Sequence, residues 1–343
     1  MVSRCAPASV IHSILNRDLT DSMFLIFGTT TLDLFNSGIT QMPRFQGDEF
    51  TVDSLAFCQQ PLRMSLGGNG AVTSHVLGKL GASVALCSAI GKDQPGDILS
   101  DWLTQGGVEL RGLMRFEDAA TSTTTVISDQ ALNRVAFHHA GASHVYSPAH
   151  FPAELLDQAT AVLFSSLTLF PEWRTAGITE FMTRAKRNGA LTALDIGPAI
   201  GQPILLAELA DLLPYIDYFI CNQHELTICT GEEASDSGLV RAMRSVLNAG
   251  SGCVVVKRGK QGVTLWRTID PKAYDVDTLI VDAVSTVGAG DSFNAGFLLK
   301  MRQGQNIVDA AFFGNAVASL VISQPNGPLG APTLAHVEAI TRS

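Results

Sequence analysis

No cluster of Lys and Arg, no C-x-x-C pair and no apolar stretch long enough to span a membrane occurs in this sequence. Each absence narrows the field. The 343 residues carry 23 Lys and Arg against 32 Asp and Glu, a formal net charge of −9, so neither a nucleic-acid groove nor a membrane surface is an expected partner. That balance still admits a phosphorylated ligand, which backbone N–H groups and a metal ion can hold locally. The six cysteines stand at 5, 58, 87, 221, 229 and 253; this scatter argues against a zinc site or disulfide framework and suits a reducing cytoplasm. The eight histidines include no H-E-x-x-H spacing, and the adjacent His138 and His139 read as strand residues. Residues 1–22 lack a sustained apolar h-region and read as a loose extension. Charged residues make up only 16% and hydrophobic ones 46%, which excludes a disordered chain.

Three widespread nucleotide sites are missing too. A Walker-type loop needs G-x-x-x-x-G-K-[ST], yet Gly78-Lys79 is followed by Leu80, Gly91-Lys92 by Asp93 and Gly259-Lys260 by Gln261. A dinucleotide fingerprint needs three glycines after a strand, whereas "GTTTLDLF" offers one. The Gly-rich loop, H-R-D and D-F-G set of protein kinases does not occur.

What is present is alternation. "MFLIF" (23–27), "SVALCSAIG" (83–91), "AVLFSS" (161–166), "LTALDIG" (191–197), "YFICN" (218–222) and "GCVVVKRG" (252–259) read as buried strands. Helical periodicity at 71–80, 96–105, 173–188 and 236–248 lies between them, and 289–323 reads as two consecutive helices. The pattern predicts a three-layer α/β/α domain over 23–343 with a mostly parallel sheet. Period-two segments at about 41–66 and 112–140 predict antiparallel strands inserted as a small lid. In open α/β sheets ligands sit beyond the carboxyl ends of the strands, where Asp33, Asp195, Asn222 and Glu225 all fall. Any one of them alone would pass for a turn residue or a helix cap.

"STVGAGDSFNAGF" (285–297) is the most informative stretch. A helix N-terminus leaves N–H groups without intrahelical partners and favours an anion. Gly288, Ala289 and Gly290 would let a phosphoryl group approach that backbone, while Asp291 is itself an anion. Both fit one site if a phosphoryl group arrives from one side and a proton leaves on the other. The alternative is that Asp291 only stabilises the helix start, by about 0.3–1 kcal/mol.

Taken together, "GGNGAVTSHVLGKLG" (67–81), "GKDQPGDILSDWLTQGGV" (91–108), "NQHE" (222–225), "VVVKRGKQGV" (254–263) and "STVGAGDSF" (285–293) resemble the ordered motifs of the ribokinase-like (PfkB-type) carbohydrate kinases. The resemblance runs from about residue 23 to the end and implies a ribokinase-like fold and transfer of the ATP γ-phosphoryl group to a sugar hydroxyl. It implies Asp291 as the base and the N–H groups of Gly288, Ala289 and Gly290 as the anion hole. It further implies Asn222 and Glu225 as organisers of Mg²⁺ through water, and Gly259, Gly262, Lys257 and Asn315 as the nucleotide side. Asn315 reads equally well as a polar residue on a helix face. On the acceptor side it implies Asp33, Gly67, Gly68 and Asn69, a carboxylate being able to accept from two neighbouring hydroxyls.

Three positions depart from the family pattern. Val72 replaces a second asparagine, "LDIGP" keeps Asp195 without a following asparagine, and Ser285 replaces an aspartate that would help bind a monovalent cation. A nucleoside kinase of the same fold is the alternative activity, with Phe45, Phe50, Phe57 and Phe137 as candidates to stack a base. A silent sugar-binding relative is disfavoured by the intact "GAGD". Unpaired lid edges predict a homodimer joined through the lids.

Overall fold

Alternation along single strands decides how the layers form. In Met23–Phe27, Phe24 and Ile26 join one core cluster, and Met23, Leu25 and Phe27 join another on the opposite face. Cys253–Lys257 divides likewise, with Val255 on the first side and Val254 and Val256 on the second. Strands apolar on both faces have to be covered on both. The computed structural model, which describes residues 23–341 apart from 41, 44–46, 131–132, 175–176 and 200, does this with helices. Asn69–Lys79, Gln94–Gln105, Ala289–Arg302 and Ile307–Ile322 pack on one face. Gly177–Arg187, Gln223–Thr230 and Asp236–Asn248 pack on the other. The expected extension over 1–22 lies outside the described residues.

The large sheet runs Tyr274–Val276, Val263–Arg267, Cys253–Lys257, Tyr218–Asn222, Leu191–Asp195, Ala159–Ser165, Met23–Phe27, Ser83–Gly91 and Val108–Glu109. Leu113–Phe116 pairs farther along Ser83–Gly91. The pairings are parallel except the two made by Val263–Arg267. Parallel alignment gathers the carboxyl ends of the central strands along one rim, which prepares a cleft.

The lid is a separate sheet in the order Arg63–Gly67, Thr31–Ile39, Ser122–Asp129, Arg134–His139. This corrects the sequence expectation in three ways. Its second strand is Thr31–Ile39, which leaves the first central strand after Gly28, Thr29 and Thr30 and lies before residue 41. Its middle pairing, Thr31–Ile39 with Ser122–Asp129, is parallel. Leu113–Phe116 belongs to the large sheet instead. Hydrophobic alternation marks a strand but not the sheet it joins, and that choice falls to pairing partners distant in sequence. Register sets Asp33 opposite Ser65 and Thr124, and Thr124 opposite His138, all on one lid face. Leu34, Met64, Thr125 and Phe137 share the other face.

Candidate active site

Asp33 owes its place to a glycine. A Cβ on Gly67, on the neighbouring strand, would lie 2.3 Å from Asp33 Oδ2, so the missing side chain makes room for the carboxylate. Burial pushes Asp33 up to about 6, against the lowering effect of the Thr124 hydroxyl. Thr124 Oγ1 also lies 3.1 Å from His138 Nδ1, which extends the polar row across the lid. Gly68 caps the Asn69–Lys79 helix at φ +87°, where a Cβ would meet Thr29 O at 2.4 Å. Only glycine suits that turn.

Asn69 starts this helix and reaches out of it: its Nδ2 donates to Asp291 Oδ1 at 2.9 Å. One turn on, Thr73 Oγ1 donates to Asp291 O at 3.3 Å. The acceptor motif and the "GAGD" motif, 222 residues apart, are thus joined by a hydrogen bond. Gly288 caps the Ala289–Arg302 helix at φ +77°, and the first intrahelical bond is Ser292 N to Gly288 O at 2.9 Å. Ala289 N donates weakly to Thr286 O at 3.4 Å, so the amides of this first turn lack strong intrahelical partners. Burial raises Asp291 to about 7; Lys257 and the Asn69 hydrogen bond work against that rise, and Asp195 and Asp33 add to it.

At the next strand ends Asp195 and Lys257 form an ion pair, with Nζ 2.6 Å from Oδ2. Asn294 Nδ2 donates to the same oxygen at 2.7 Å, and Gly197 N donates to Oδ1 at 3.1 Å. A Cβ on Gly290 would sit 3.2 Å from Lys257 Nζ. Lys257, expected on the nucleotide side, therefore stands against the start of the Ala289–Arg302 helix. Burial by itself would lower this lysine, but Asp195, Glu225 and Asp291 together hold it above its ordinary value.

Asn222 and Glu225 form a reciprocal cap on the Gln223–Thr230 helix. Glu225 N donates to Asn222 Oδ1 at 2.8 Å, and Asn222 N to Glu225 Oε2 at 2.7 Å. Two donors of the helix start are satisfied, in the manner of a capping box with Asn in place of Ser or Thr. Burial lifts Glu225 to about 7, with Asp195 and Asp291 adding to the rise and Lys257 opposing it. Gly259 at φ +58° and Gly262 at φ +74° shape the turn after Cys253–Lys257. A Cβ on Gly262 would meet Val276 O at 2.1 Å, and Asn315 Nδ2 donates to Val276 O at 3.2 Å and Asp277 O at 2.9 Å. Asn315 thus supports the strand beside Gly262 from below.

A row of carboxylates around one lysine, beside an open helix start and under a polar lid, suits charge movement at a hydroxyl. Residues 45–334 match the pattern of the pfkB family carbohydrate kinases. The chain belongs to that family. A nucleoside kinase from Methanothermobacter thermautotrophicus is 26% identical over 80% of this chain and 84% of its own. A ribokinase from Haemophilus influenzae is 26% identical over 83% and 90%. The structure of Arabidopsis thaliana ribokinase complexed with ribose and ATP superposes with a TM-score of 0.81 at 21% identity, over 94% of this chain and 99% of the other. This kinase shares the ribokinase-like fold and is a phosphotransferase with an alcohol group as acceptor.

Three polar contacts of the kinase escape a sequence reading. Thr73 stands four residues after Asn69, and Asn294 three after Asp291, the spacings that place side chains on one helix face. That spacing was the available signal. Thr124 lies in a threonine run and gives none, since only lid register puts it opposite Asp33. Val72, at a departure from the family pattern, is buried at 1% exposure in the core. A Cβ on Gly288 would approach its Cγ1 to 3.3 Å.

Proposed function

We propose that this kinase transfers the γ-phosphoryl group of ATP to a primary alcohol of a monosaccharide or sugar derivative. The observation that carries the reading is Asp291: a carboxylate oriented by Asn69 at the open first turn of a helix and near enough to the lid's Asp33 to feel its charge. Asp33, Gly67, Gly68 and Asn69 form the acceptor side, and Gly259, Gly262 and Asn315 the nucleotide side. Asp291 takes the hydroxyl proton as the acceptor oxygen forms its bond to phosphorus. The bond from phosphorus to the β,γ-bridging oxygen breaks, and that oxygen keeps the electron pair in the ADP released. The amides of Gly288, Ala289 and Gly290 face the charge that develops on the transferred group.

Mg²⁺ fits the donor set in a specific sense. Among the described residues no group of three His, Cys, Asp or Glu could hold a metal. Mg²⁺, however, keeps several waters and is bound through one or two carboxylates plus substrate phosphates. Each carboxylate has about four acceptor sites, so the cap leaves Glu225 capacity for a metal-bound water, and Asn222 stands beside it. When bound, the ion would neutralise charge on the β- and γ-phosphates. A monovalent cation fits less well: the Ser285 hydroxyl that replaces a carboxylate already accepts from Val287 N at 3.3 Å.

A nucleoside acceptor is the second reading, favoured by the similarity to the archaeal nucleoside kinase. Of the aromatics considered for it, Phe45 lies outside the described residues and Phe137 is on the lid face opposite Asp33. Cytoplasmic residence accords with the cysteines at 58, 87, 221, 229 and 253, which are free thiols among the described residues; no helix among the described residues is long and apolar enough to cross a membrane. A coupled ADP-release assay over hexoses, pentoses, sugar acids and nucleosides tests both acceptors. Turnover with nucleosides alone would replace the sugar reading, and no acceptor-dependent ADP release at all would overturn both.

A further inference from the structure

Lys257 spends less of its bonding capacity than its burial would lead one to expect. Its side chain is 17% exposed, and an ammonium has three N–H donors. One goes to Asp195, and no other hydrogen bond of Nζ occurs among the described residues. Asp195, by contrast, is buried at 1% exposure and accepts three hydrogen bonds, from Lys257, Asn294 and Gly197. The lysine is therefore clamped at one N–H and open at the others, with Nζ in contact range of Gly290.

Asn294 adds the second half of the arrangement. It belongs to the Ala289–Arg302 helix, one turn beyond Asp291. Its bond to Asp195 ties that helix to the same oxygen that grips the lysine. The base, the helix start and the cation thus share one anchor. A buried ion pair is weak as a stability device, because apolar residues of similar volume often do as well. Fixed charge aimed at a transferring group is a different matter, since its reorganisation cost is met in folding.

We propose that Asp195 and Asn294 are positioning residues that hold the Lys257 ammonium at the helix start, where it contacts the phosphoryl group passing from donor to acceptor. The proposal rests on the phosphoryl-transfer reading given above. As the acceptor oxygen bonds to phosphorus and the bridging oxygen departs with ADP, charge is shared over three equatorial oxygens. The free N–H groups of Lys257 donate to those oxygens, while the acceptor proton goes to Asp291.

The test is kinetic, on the full chain with MgATP and the best acceptor found in the panel. Lys257→Met should lower kcat by about 10²–10³, the size of loss seen when one such donor is removed. KM for ATP, and the Kd for MgADP by calorimetry, should change less than about threefold, with Lys257→Arg recovering part of the loss. Asp195→Asn should lower kcat about tenfold or more. The double variant should be no slower than Lys257→Met, because residues acting through one another are not additive. Should Asp195→Asn fail to fold, Asn294→Ala keeps the ion pair and should still lower kcat at unchanged MgADP affinity. Full kcat in Lys257→Met, multiplied losses in the double variant, or full kcat in Asn294→Ala would each overturn the proposal. A merely structural pair would instead lower Tm and leave kcat in place. An unmodified protein without acceptor-dependent ADP release would overturn the function itself, a distinguishable result.

Discussion

At the scale of single residues, Asp291 is poised between its two protonation states. Burial raises it to about 7, which brings the titration of the base into the neutral range. The rate kcat/KM for the acceptor should therefore climb with pH and level off above about 7, the inflection reporting the free enzyme. Asn69→Ala removes a hydrogen bond to the charged form, so the inflection should move to higher pH. An inflection that stays put, or moves down, would separate Asp291 from the titration. Asp291→Asn should lower kcat by about 10²–10⁴ with ATP binding intact. Ser285 yields a different expectation. A unit charge about 4 Å from an ion is worth roughly 4 kcal/mol at an effective dielectric of about 20, before desolvation. Without it, turnover should change little when K⁺ is replaced by a bulky organic cation at constant ionic strength, and Ser285→Asp should increase any K⁺ response. Strong K⁺ activation of the unmodified protein would shift attention to Asp282 or loop carbonyls.

At the scale of elements, two of the motif helices each start on a glycine cap. Gly68 and Gly288 are caps at positive φ, whereas Gly290 has an ordinary backbone and is small for another reason. Its Cβ would sit 3.2 Å from the Lys257 ammonium. Gly290→Val should therefore displace the lysine and abolish most turnover with a modest loss of Tm, because the backbone itself is unstrained. Normal turnover would show that the phosphoryl group binds elsewhere. Lid register leads to a further expectation: Asp33→Ala should raise the acceptor KM strongly while KM for ATP stays near its original value. Equal effects on both would remove Asp33 from the acceptor site. The motif glycines themselves were legible in the sequence, but their separate reasons were not. A cap, a cradle for Asp33 and a wall for Lys257 look alike until the neighbours are placed.

At the scale of the whole molecule, the lid leaves apolar surface uncovered. On the lid face opposite Asp33, Met64, Val135 and Phe137 are 45%, 40% and 61% exposed, and Phe50 and Phe57, between two lid strands in the chain, are 80% and 79% exposed. Apolar side chains that gather on one exposed face can mark an association surface. We read it as the place where a second copy of the chain joins, lid to lid. The unmodified protein should sediment as a dimer at micromolar concentration, and Phe137→Glu should shift it toward monomer. A protein that is monomeric before any substitution would refute this. The sequence offers Phe137 as a base-stacking residue; pairing register puts it on the face opposite Asp33, which period-two alternation alone does not reveal.

The sequence by itself determined the layers and the chemistry on offer. Met23–Phe27, Ser83–Gly91 and Tyr218–Asn222 match their sequence-defined strands end to end, because continuous apolar runs bounded by turns leave little choice in a doubly covered sheet. The "GAGD" helix start was readable for the same local reason: caps and first-turn residues are set within a few positions of chain. Tertiary structure decided what those groups do to one another. Nothing near Lys257 in the chain indicates that Asp195 and Asn294 will clamp it, and nothing near Asp291 indicates Asn69. Which sheet Thr31–Ile39 joins, and how far burial lifts Asp33, Glu225 and Asp291, likewise depend on partners distant in sequence. Pairing and desolvation act through space, and spacing along the chain carries no record of them.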